Sequence, residues 1–182
     1  YQNDDSGKRD LGKDSRLYFT APADGEYLAR IKDVRGFEGE DFKYTLTLRP
    51  RKPDFRVRLE GANPKIPAGA AREFAVKATR IDGFAGPIRV DITGLPPGLT
   101  ATTPVIIEAG QIGAHGVIMA SSEADKPAED AAKASQVTAT ATIAGQEVRH
   151  EVNNLGKIEL AEQPKFLAKI VPASGGAQPL DP

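Results

Sequence analysis

Apolar and polar residues take turns along most of this chain, with a period of two. Residues 42–48 show the period most clearly, because their apolar positions are Phe42, Tyr44, Leu46 and Leu48. Lysine and threonine occupy the positions between them, so one face of the segment is apolar and the other is polar. Such a segment is typical of an antiparallel strand that is buried on one face and solvated on the other. The pattern predicts a strand whose four apolar side chains enter a core.

Two groups of segments share this period. The first group lies before residue 49 and has three segments, at residues 16–20, 25–34 and 41–48. The second group runs to about residue 153 and holds seven or eight segments. Its predicted core positions include Phe55, Val57, Leu59, Phe74, Val76, Ala78, Ile88, Val90, Ile92, Val137, Ala139, Ala141, Ile143, Val148, His150 and Val152. Only residues 122–134 have helical composition, and a proline within them limits the prediction to a loop with one helical turn.

The glycine and proline residues between the segments predict the domain organisation. The 18 glycines and 14 prolines separate short strands at short intervals, which favours β-sandwiches. The stretch "RPRKPD" combines two prolines with three basic residues and reads as a linker. Three strands before it are too few to bury a core alone, whereas the strands after it are sufficient. We predict an all-β chain with an incomplete β-sandwich over residues 1–50, a complete one over residues 51–155, and an extended, strand-containing tail over residues 156–182.

Composition and charge exclude several classes of function. Lysine and arginine number 24 against 25 aspartates and glutamates, so no long-range field recruits nucleic acid or anionic lipid. No apolar run approaches the ~20 residues of a membrane helix, and we expect no membrane insertion. The absence of cysteine excludes disulfides and thiolate metal sites within these residues. The chain begins without methionine or a signal sequence, and we expect it to be an excised segment of a longer precursor.

Residues 14–48 resemble the second half of the bacterial pre-peptidase C-terminal domain. That family shows an aspartate-rich loop, then D-S-x-L-x-F-x-A-P-x-D-G-x-Y, then a closing strand with Y-x-L. The matching positions are Asp14, Ser15, Leu17, Phe19, Ala21, Pro22, Asp24, Gly25, Tyr27, Tyr44 and Leu46. The resemblance implies a small β-sandwich, of a kind attached to secreted proteases or repeated in large extracytoplasmic proteins. The early strands of the family have no counterpart in these 182 residues.

Residues 54–152 resemble a bacterial immunoglobulin-like domain, chiefly through "IRVDITGLPPGLTAT", where a Gly-Leu-Pro-Pro-Gly corner joins two strands. Tandem pairs of these two domains occur in long secreted bacterial proteins. The resemblance therefore implies an extracytoplasmic location, whether periplasmic, cell-surface or secreted. It implies a non-catalytic spacer or docking module that contacts other domains or subunits of a larger protein or complex. The alternative is a carbohydrate- or calcium-binding module that uses the aspartate-rich loop.

The aspartate-rich loop is the candidate metal site. Calcium takes six to eight oxygen ligands, and the resemblance carries a calcium role over at most to Asp4, Asp5 and Asp14. The loop lacks the EF-hand pattern, and three basic residues inside it would repel a cation. We expect a solvated turn whose side chains bond nearby backbone amides, with calcium as the alternative and no other cofactor.

Two turns with flanking glycines hold the candidate partner contacts, Phe37 and Phe84. Each ring either plugs the end of a sandwich, which we favour, or stays exposed and contacts a protein or a sugar. We also expect a threonine-rich outer face at residues 137–143, on a sheet edge that could accept a partner strand.

Nothing in the sequence predicts an enzyme. The two histidines, His115 and His150, have no second histidine two or four residues away, which argues against a metal pair. We expect both to be half-buried and hydrogen-bonded. The chain also lacks a G-x-S-x-G nucleophile turn and a phosphate-binding glycine loop. No catalytic residue is therefore predicted.

Overall fold

The computed structural model describes residues 1–3 and 14–162. The chain divides into two units, Tyr1–Arg51 and Lys52–Pro182. The described part of the second unit forms ten strands and one short helix. In chain order these are β1 (Asp54–Glu60), β2 (Lys65–Pro67), β3 (Ala71–Ile81), β4 (Ile88–Thr93), β5 (Leu99–Ala101), β6 (Val105–Ile107), β7 (Gly113–Ala120), α1 (Glu129–Ala132), β8 (Gln136–Ile143), β9 (Gln146–Val152) and β10 (Glu159–Ala161). The predictions of an all-β fold and of a single helical turn within residues 122–134 are confirmed.

Eight of these strands form two antiparallel sheets of four strands each. The first sheet has the order β1-β3-β7-β5, and the second has the order β6-β4-β8-β9. The chain crosses from one sheet to the other between β5 and β6, where two threonine hydroxyls continue the ladders on both sides. The Thr102 hydroxyl accepts the Val117 amide at 3.1 Å, and the Thr103 hydroxyl accepts the Ile92 amide at 2.9 Å. Strands β2 and β10 pair in parallel as a separate ribbon.

The inward side chains of the two sheets form one core. Phe55 and Phe74 from the first sheet are 0% and 2% exposed, and Val90 and Ala139 from the second are both 0% exposed. All the predicted core positions of the second unit are buried or half-buried. Among the described residues, every buried polar side-chain atom has a hydrogen-bond partner. The two-residue period therefore identifies the inner faces of this sandwich.

Side-chain contacts close both ends of the sandwich. At one end, the Arg80 guanidinium donates to the backbone carbonyls of Gly86, Glu108 and Gln111 at 2.5, 2.8 and 3.0 Å. Partial burial of the guanidinium among these loops lowers the pKa of Arg80 from its usual value. At the other end, the side chains of Leu155 and Ile158 are 0% and 1% exposed and belong to the core. Residues just beyond β9 therefore pack as part of the second unit.

The first unit departs from the sequence-based prediction. None of the described residues 14–51 lies in a strand, so the strands predicted at residues 16–20, 25–34 and 41–48 are wrong. The side chains predicted to enter a core are open to solvent: Phe42 53%, Tyr44 71%, Leu46 50% and Leu48 80%. Alternation decides which side chains share a face, but a strand also needs a hydrogen-bonded neighbour. Three short segments are too few to supply both neighbours and a core.

The position of the threonine-rich face also differs from its prediction. Strand β8 lies inside the second sheet, between β4 and β9. Thr140 stands opposite Arg89 on one neighbouring strand and Arg149 on the other. Because both edges of β8 are already paired, the expectation that this strand could accept a partner strand is wrong.

Candidate functional site

The candidate site is a set of exposed apolar side chains in the first unit. Each member is 41–94% exposed. We call this set the apolar surface of the first unit, and its members are Leu17, Tyr18, Phe19, Tyr27, Leu28, Ile31, Val34, Phe37, Phe42, Tyr44, Leu46 and Leu48. Large exposed apolar patches on proteins in water usually mark a surface that another molecule covers.

Two aromatic rings of this surface, Phe19 and Tyr27, form a first cluster with Tyr1. The Phe19 ring meets Tyr27 edge to face at 4.9 Å between centroids, and meets Tyr1 in the same way at 5.0 Å. The Tyr27 hydroxyl donates to the carbonyl of Ala23 at 2.5 Å, which holds the turn before it. Edge-to-face contacts are a favoured geometry for aromatic pairs. The cluster therefore has a defined local arrangement although Phe19 and Tyr27 are 41% and 49% exposed.

A second aromatic pair consists of Phe37 and Phe42, which stack at 5.4 Å with an angle of 11° between the rings. The Asp33 carboxylate accepts the amides of Arg35 and Phe37 at 2.8 and 3.1 Å. Gly36 adopts a φ of 77°, a conformation that a glycine allows at this tight turn. The turn therefore places the Phe37 ring against the start of residues 42–48. Phe37 is 52% exposed, so the favoured plug interpretation is wrong for this ring, and its role as a partner contact stays a prediction.

The backbone that follows this turn is open. Residues 42–51 contain no helix, turn or bend. The Phe42 amide donates to the carbonyl of Gly39 at 3.1 Å, and residues 43–48 make no backbone hydrogen bond among the described residues. The peptide groups of this segment are therefore available to a neighbouring strand. Alternation marks the apolar face of the segment, but only the structure shows that no backbone group of residues 43–48 is paired within the described part of the chain.

The predicted metal site lies mostly outside the described residues. Asp4 and Asp5 fall there, whereas Asp14 is described and exposed. The side-chain amide of Asn3 donates to the carbonyl of Arg16 at 2.5 Å, which brings these two residues together. Within residues 1–3 and 14–162, no group of three or more acidic or histidine side chains is arranged to hold a metal ion. The calcium hypothesis stays a prediction.

Phe84 is a structural plug. Its side chain is 8% exposed and lies 5.5 Å from the Phe55 ring, between ring centroids. The Arg80 guanidinium lies 5.4 Å from the centre of its ring, at a distance typical of a cation–π contact. The favoured plug interpretation is confirmed for Phe84. Its alternative role as a partner contact is wrong, because core residues and Arg80 cover the ring.

The two histidines differ in their surroundings. His150 is half-buried, its Nε2 lies 2.7 Å from the Asp54 carboxylate, and its ring meets Phe55 at 4.8 Å. Burial raises the pKa of Asp54, but the hydrogen bonds from His150 and the Phe55 amide outweigh it and hold the pKa below 3.8. His115 is hydrogen-bonded to Glu73 at 2.6 Å but is exposed, because it lies on the outward face of β7. The expectation of half-burial is confirmed for His150 and wrong for His115.

A comparison with models of protein families, with curated proteins and with solved structures finds no match to this chain. The resemblances to a pre-peptidase C-terminal domain and to an immunoglobulin-like domain therefore stay predictions. In the part of the chain that the structure describes, no helix is long and apolar enough to cross a membrane.

Proposed function

We propose that this chain is a non-catalytic extracytoplasmic spacer and docking module of a larger secreted bacterial protein or complex. In this proposal the second unit is the spacer, and the apolar surface of the first unit binds another protein. The exposure of that surface is the observation that carries the proposal. The location is supported by the resemblance of both regions to domains of secreted bacterial proteins.

The docking role rests on a free-energy argument. Phe42 and Tyr44 are 53% and 71% exposed, whereas Phe55 and Phe74 occupy similar alternating positions in the second unit and are 0% and 2% exposed. Full burial of one such side chain contributes about 1.5 to 3 kcal/mol. A surface that holds several of them gains free energy when another protein covers it, even after the entropic cost of association.

The spacer role rests on the way that the second unit is tied together. The side chain of Asn153 bonds both the amide and the carbonyl of Leu59, each at 2.9 Å. This pair joins the region after β9 in one sheet to β1 in the other. Together with the three carbonyls that Arg80 holds at the opposite end, it links the two sheets at both ends. Hydrogen bonds as well as apolar packing therefore hold the two sheets together, which suits a spacer.

Hydrogen exchange of the native assembly tests the docking role. The assembly is isolated from cells with a tag on this chain, and its amide exchange is compared with that of the purified 182-residue chain. We expect amides of residues 16–48 to exchange at least about tenfold more slowly in the assembly, because a partner covers them. Amides of β3 and β7 are the internal control and should be equal in both samples. Equal exchange of residues 16–48 in both samples would contradict the docking role.

Paired substitutions locate the docking surface. The double variant Tyr44→Ser, Leu48→Ser removes two exposed apolar side chains of the first unit. We expect a smaller fraction of this variant than of the wild type to be recovered with the assembly. Ile112→Ser is the matched control, because Ile112 is 74% exposed but belongs to the second unit. Retention that falls equally in both variants would place docking elsewhere.

Cell fractionation tests the location. Protease added to intact cells should cleave the chain if it lies on the cell surface. An osmotic-shock extract should contain the chain if it lies in the periplasm. Recovery only with cytoplasmic markers would overturn the extracytoplasmic part of the proposal.

A further inference from the structure

We infer that residues 41–49 bind the same residues of a second copy of this chain, as an antiparallel strand pair centred on Thr45. The inference rests on the proposed docking role of the first unit and names the partner of its most regular part. We call residues 41–49 the pairing segment.

The pairing segment has the length and ends of a single strand. A turn over residues 39–42 overlaps its first two residues, since the Phe42 amide bonds the carbonyl of Gly39. Pro50 follows it, and a proline cannot donate to a ladder, so it is typical of a strand end. From residue 42 to residue 49 the backbone is free of turns and bends, and residues 43–48 have no backbone hydrogen bond among the described residues. A segment whose backbone groups make no hydrogen bond can pair with another chain in the way that an edge strand does.

The apolar positions are symmetric about Thr45. In an antiparallel pair centred there, Tyr44 of one copy stands opposite Leu46 of the other, and Phe42 stands opposite Leu48. All four side chains then lie on one face, and all four are at least half exposed in the single chain. Aromatic and aliphatic residues that face each other across a ladder stabilise the pairing. The pair would therefore bring these apolar side chains into contact across the ladder.

The charges at the ends of the segment favour this register. Asp41 and Arg49 lie four residues from Thr45 on either side, so each aspartate stands opposite an arginine of the other copy. Both residues are exposed in the single chain. Opposite charges directly across a ladder stabilise a pair, and the two-fold symmetry supplies the contact twice. The segment is thus complementary to itself in charge as well as in apolar pattern.

Neighbouring registers lose this complementarity. A pair centred on Leu46 places Lys43 opposite Arg49, and like charges across a ladder are unfavourable. A pair centred on Tyr44 places Asp41 opposite Thr47 and forms no ion pair within the segment. A pair whose centre lies between two residues is shifted by one residue in register. It sets apolar residues of one copy opposite polar residues of the other, because a shift of one residue turns the apolar side chains of one strand to the opposite face of the ladder. The sequence therefore distinguishes one register from the others.

Cysteine cross-linking tests the register, and the chain is suited to it because it contains no cysteine. In the Thr45→Cys variant, the two thiols meet at the two-fold axis, where facing Cα atoms are about 4.5 to 5.5 Å apart. This distance allows a disulfide. We expect mild oxidation of the full chain to yield a covalent dimer.

The matched control is Thr47→Cys. Its two copies lie four residues apart along the ladder, about 14 Å, which is too far for a disulfide. We expect little dimer from Thr47→Cys alone, and a mixed dimer when Thr47→Cys is oxidised together with Lys43→Cys. Equal dimer formation by Thr45→Cys and Thr47→Cys would indicate random collision and would overturn the inference.

Charge reversal tests the ion pairs through sedimentation velocity of the 182-residue chain over a range of concentrations. We expect Asp41→Arg and Arg49→Glu each to weaken association at least about tenfold, because each sets like charges opposite each other twice. The double variant Asp41→Arg, Arg49→Glu should restore it. Glu26→Arg is the control, an exposed acidic residue of the first unit outside the pairing segment. Failure of the double variant to restore association would contradict the register.

The outcomes separate this inference from the proposed function. A wild-type chain that stays monomeric at every concentration overturns self-pairing. If residues 16–48 are nevertheless protected from exchange in the native assembly, the docking role stands and the partner is a different protein. If neither association nor protection occurs, both proposals fail.

Discussion

The two units of this chain carry the same two-residue alternation and differ in what covers it. In the second unit, Phe74 of β3 has β1 on one side and β7 on the other, and it is 2% exposed. In the first unit, Phe42 begins an equally regular segment that has no ladder partner among the described residues, and it is 53% exposed. The comparison teaches that alternation specifies a face, whereas burial requires neighbours on both edges and a second layer above. A face without these neighbours stays open to solvent in the single chain, which is the observation behind the proposed docking role.

Removal of a large aromatic side chain should affect the stability of the two units most differently. We expect Phe74→Ala to lower the free energy of unfolding by about 3 to 5 kcal/mol, because it leaves a cavity in the core. Phe42→Ala should change it by less than about 0.5 kcal/mol, since its ring is already open to solvent. Urea denaturation followed by circular dichroism measures both. Similar losses in the two variants would show that the alternating face of the first unit is buried in solution.

Addition of one methyl group should sharpen the comparison. Gly116 of β7 stands opposite Phe74, and a Cβ atom built there would lie 2.9 Å from Cε1 and 3.0 Å from Cε2 of that ring. We expect Gly116→Ala to cost about 1 to 3 kcal/mol of stability through overpacking. The control is Gly25→Ala in the first unit, where a Cβ atom would meet nothing within 4 Å. Thermal unfolding distinguishes the two, and a neutral Gly116→Ala would mean that the Phe74 ring moves aside at little cost.

Acid should weaken the second unit slightly through Asp54. The pKa of this carboxylate is lower in the folded chain than the usual 3.8, so it binds fewer protons than in the unfolded chain near that pH. Its contribution is complete well above pH 3.8 and is lost as the pH falls through the folded pKa. Because His150 and Asp54 are 36% and 40% exposed, the pair contributes only about 0.5 kcal/mol.

The difference in stability between the wild type and Asp54→Asn measures this contribution. We expect the difference to shrink as the pH falls below 3.8, because Asp54 then becomes protonated in the folded chain as well. Asp125→Asn, at an exposed aspartate outside the pair, is the control. A difference that grows in acid would contradict the assignment.

Calcium should have the smallest effect. We expect millimolar calcium or a chelator to leave the unfolding midpoint unchanged, because a ligand stabilises a protein only when it binds the folded state. A rise in the midpoint that Asp14→Asn abolishes would support the calcium-binding alternative. Magnesium at the same concentration controls for ionic strength. Binding to an array of polysaccharides would support the carbohydrate alternative in the same way.

Much of the fold of the second unit can be read from single residues. The inward positions of β1, β3, β4 and β8 follow from parity alone, and the proline-interrupted stretch before β8 forms one helical turn as predicted. Parity does not reveal strand order, however, and the sequence analysis expected the threonines of β8 at an edge although β8 is internal. It also gives no reason to notice Asn153, whose two hydrogen bonds reach Leu59 from 94 residues away. Such contacts depend on which strands become neighbours.

The candidate site was less predictable than the fold. The sequence places Phe37 and Phe84 in similar glycine-flanked turns, yet Phe84 is 8% exposed and Phe37 is 52% exposed. The difference arises because Phe84 follows β3 and meets the Phe55 ring and Arg80, whereas Phe37 meets the exposed ring of Phe42. The motif is local, but the burial of the ring depends on residues that are distant in the chain.

The sequence by itself determined that this protein is built from short alternating segments, which side chains share a face, and where turns interrupt them. These properties depend on the geometry of one strand and on the conformations that glycine and proline favour. Only the tertiary structure decided which faces are covered, which strands are internal, and which polar groups join the two sheets. Burial and pairing are relations between distant residues, so no local pattern contains them.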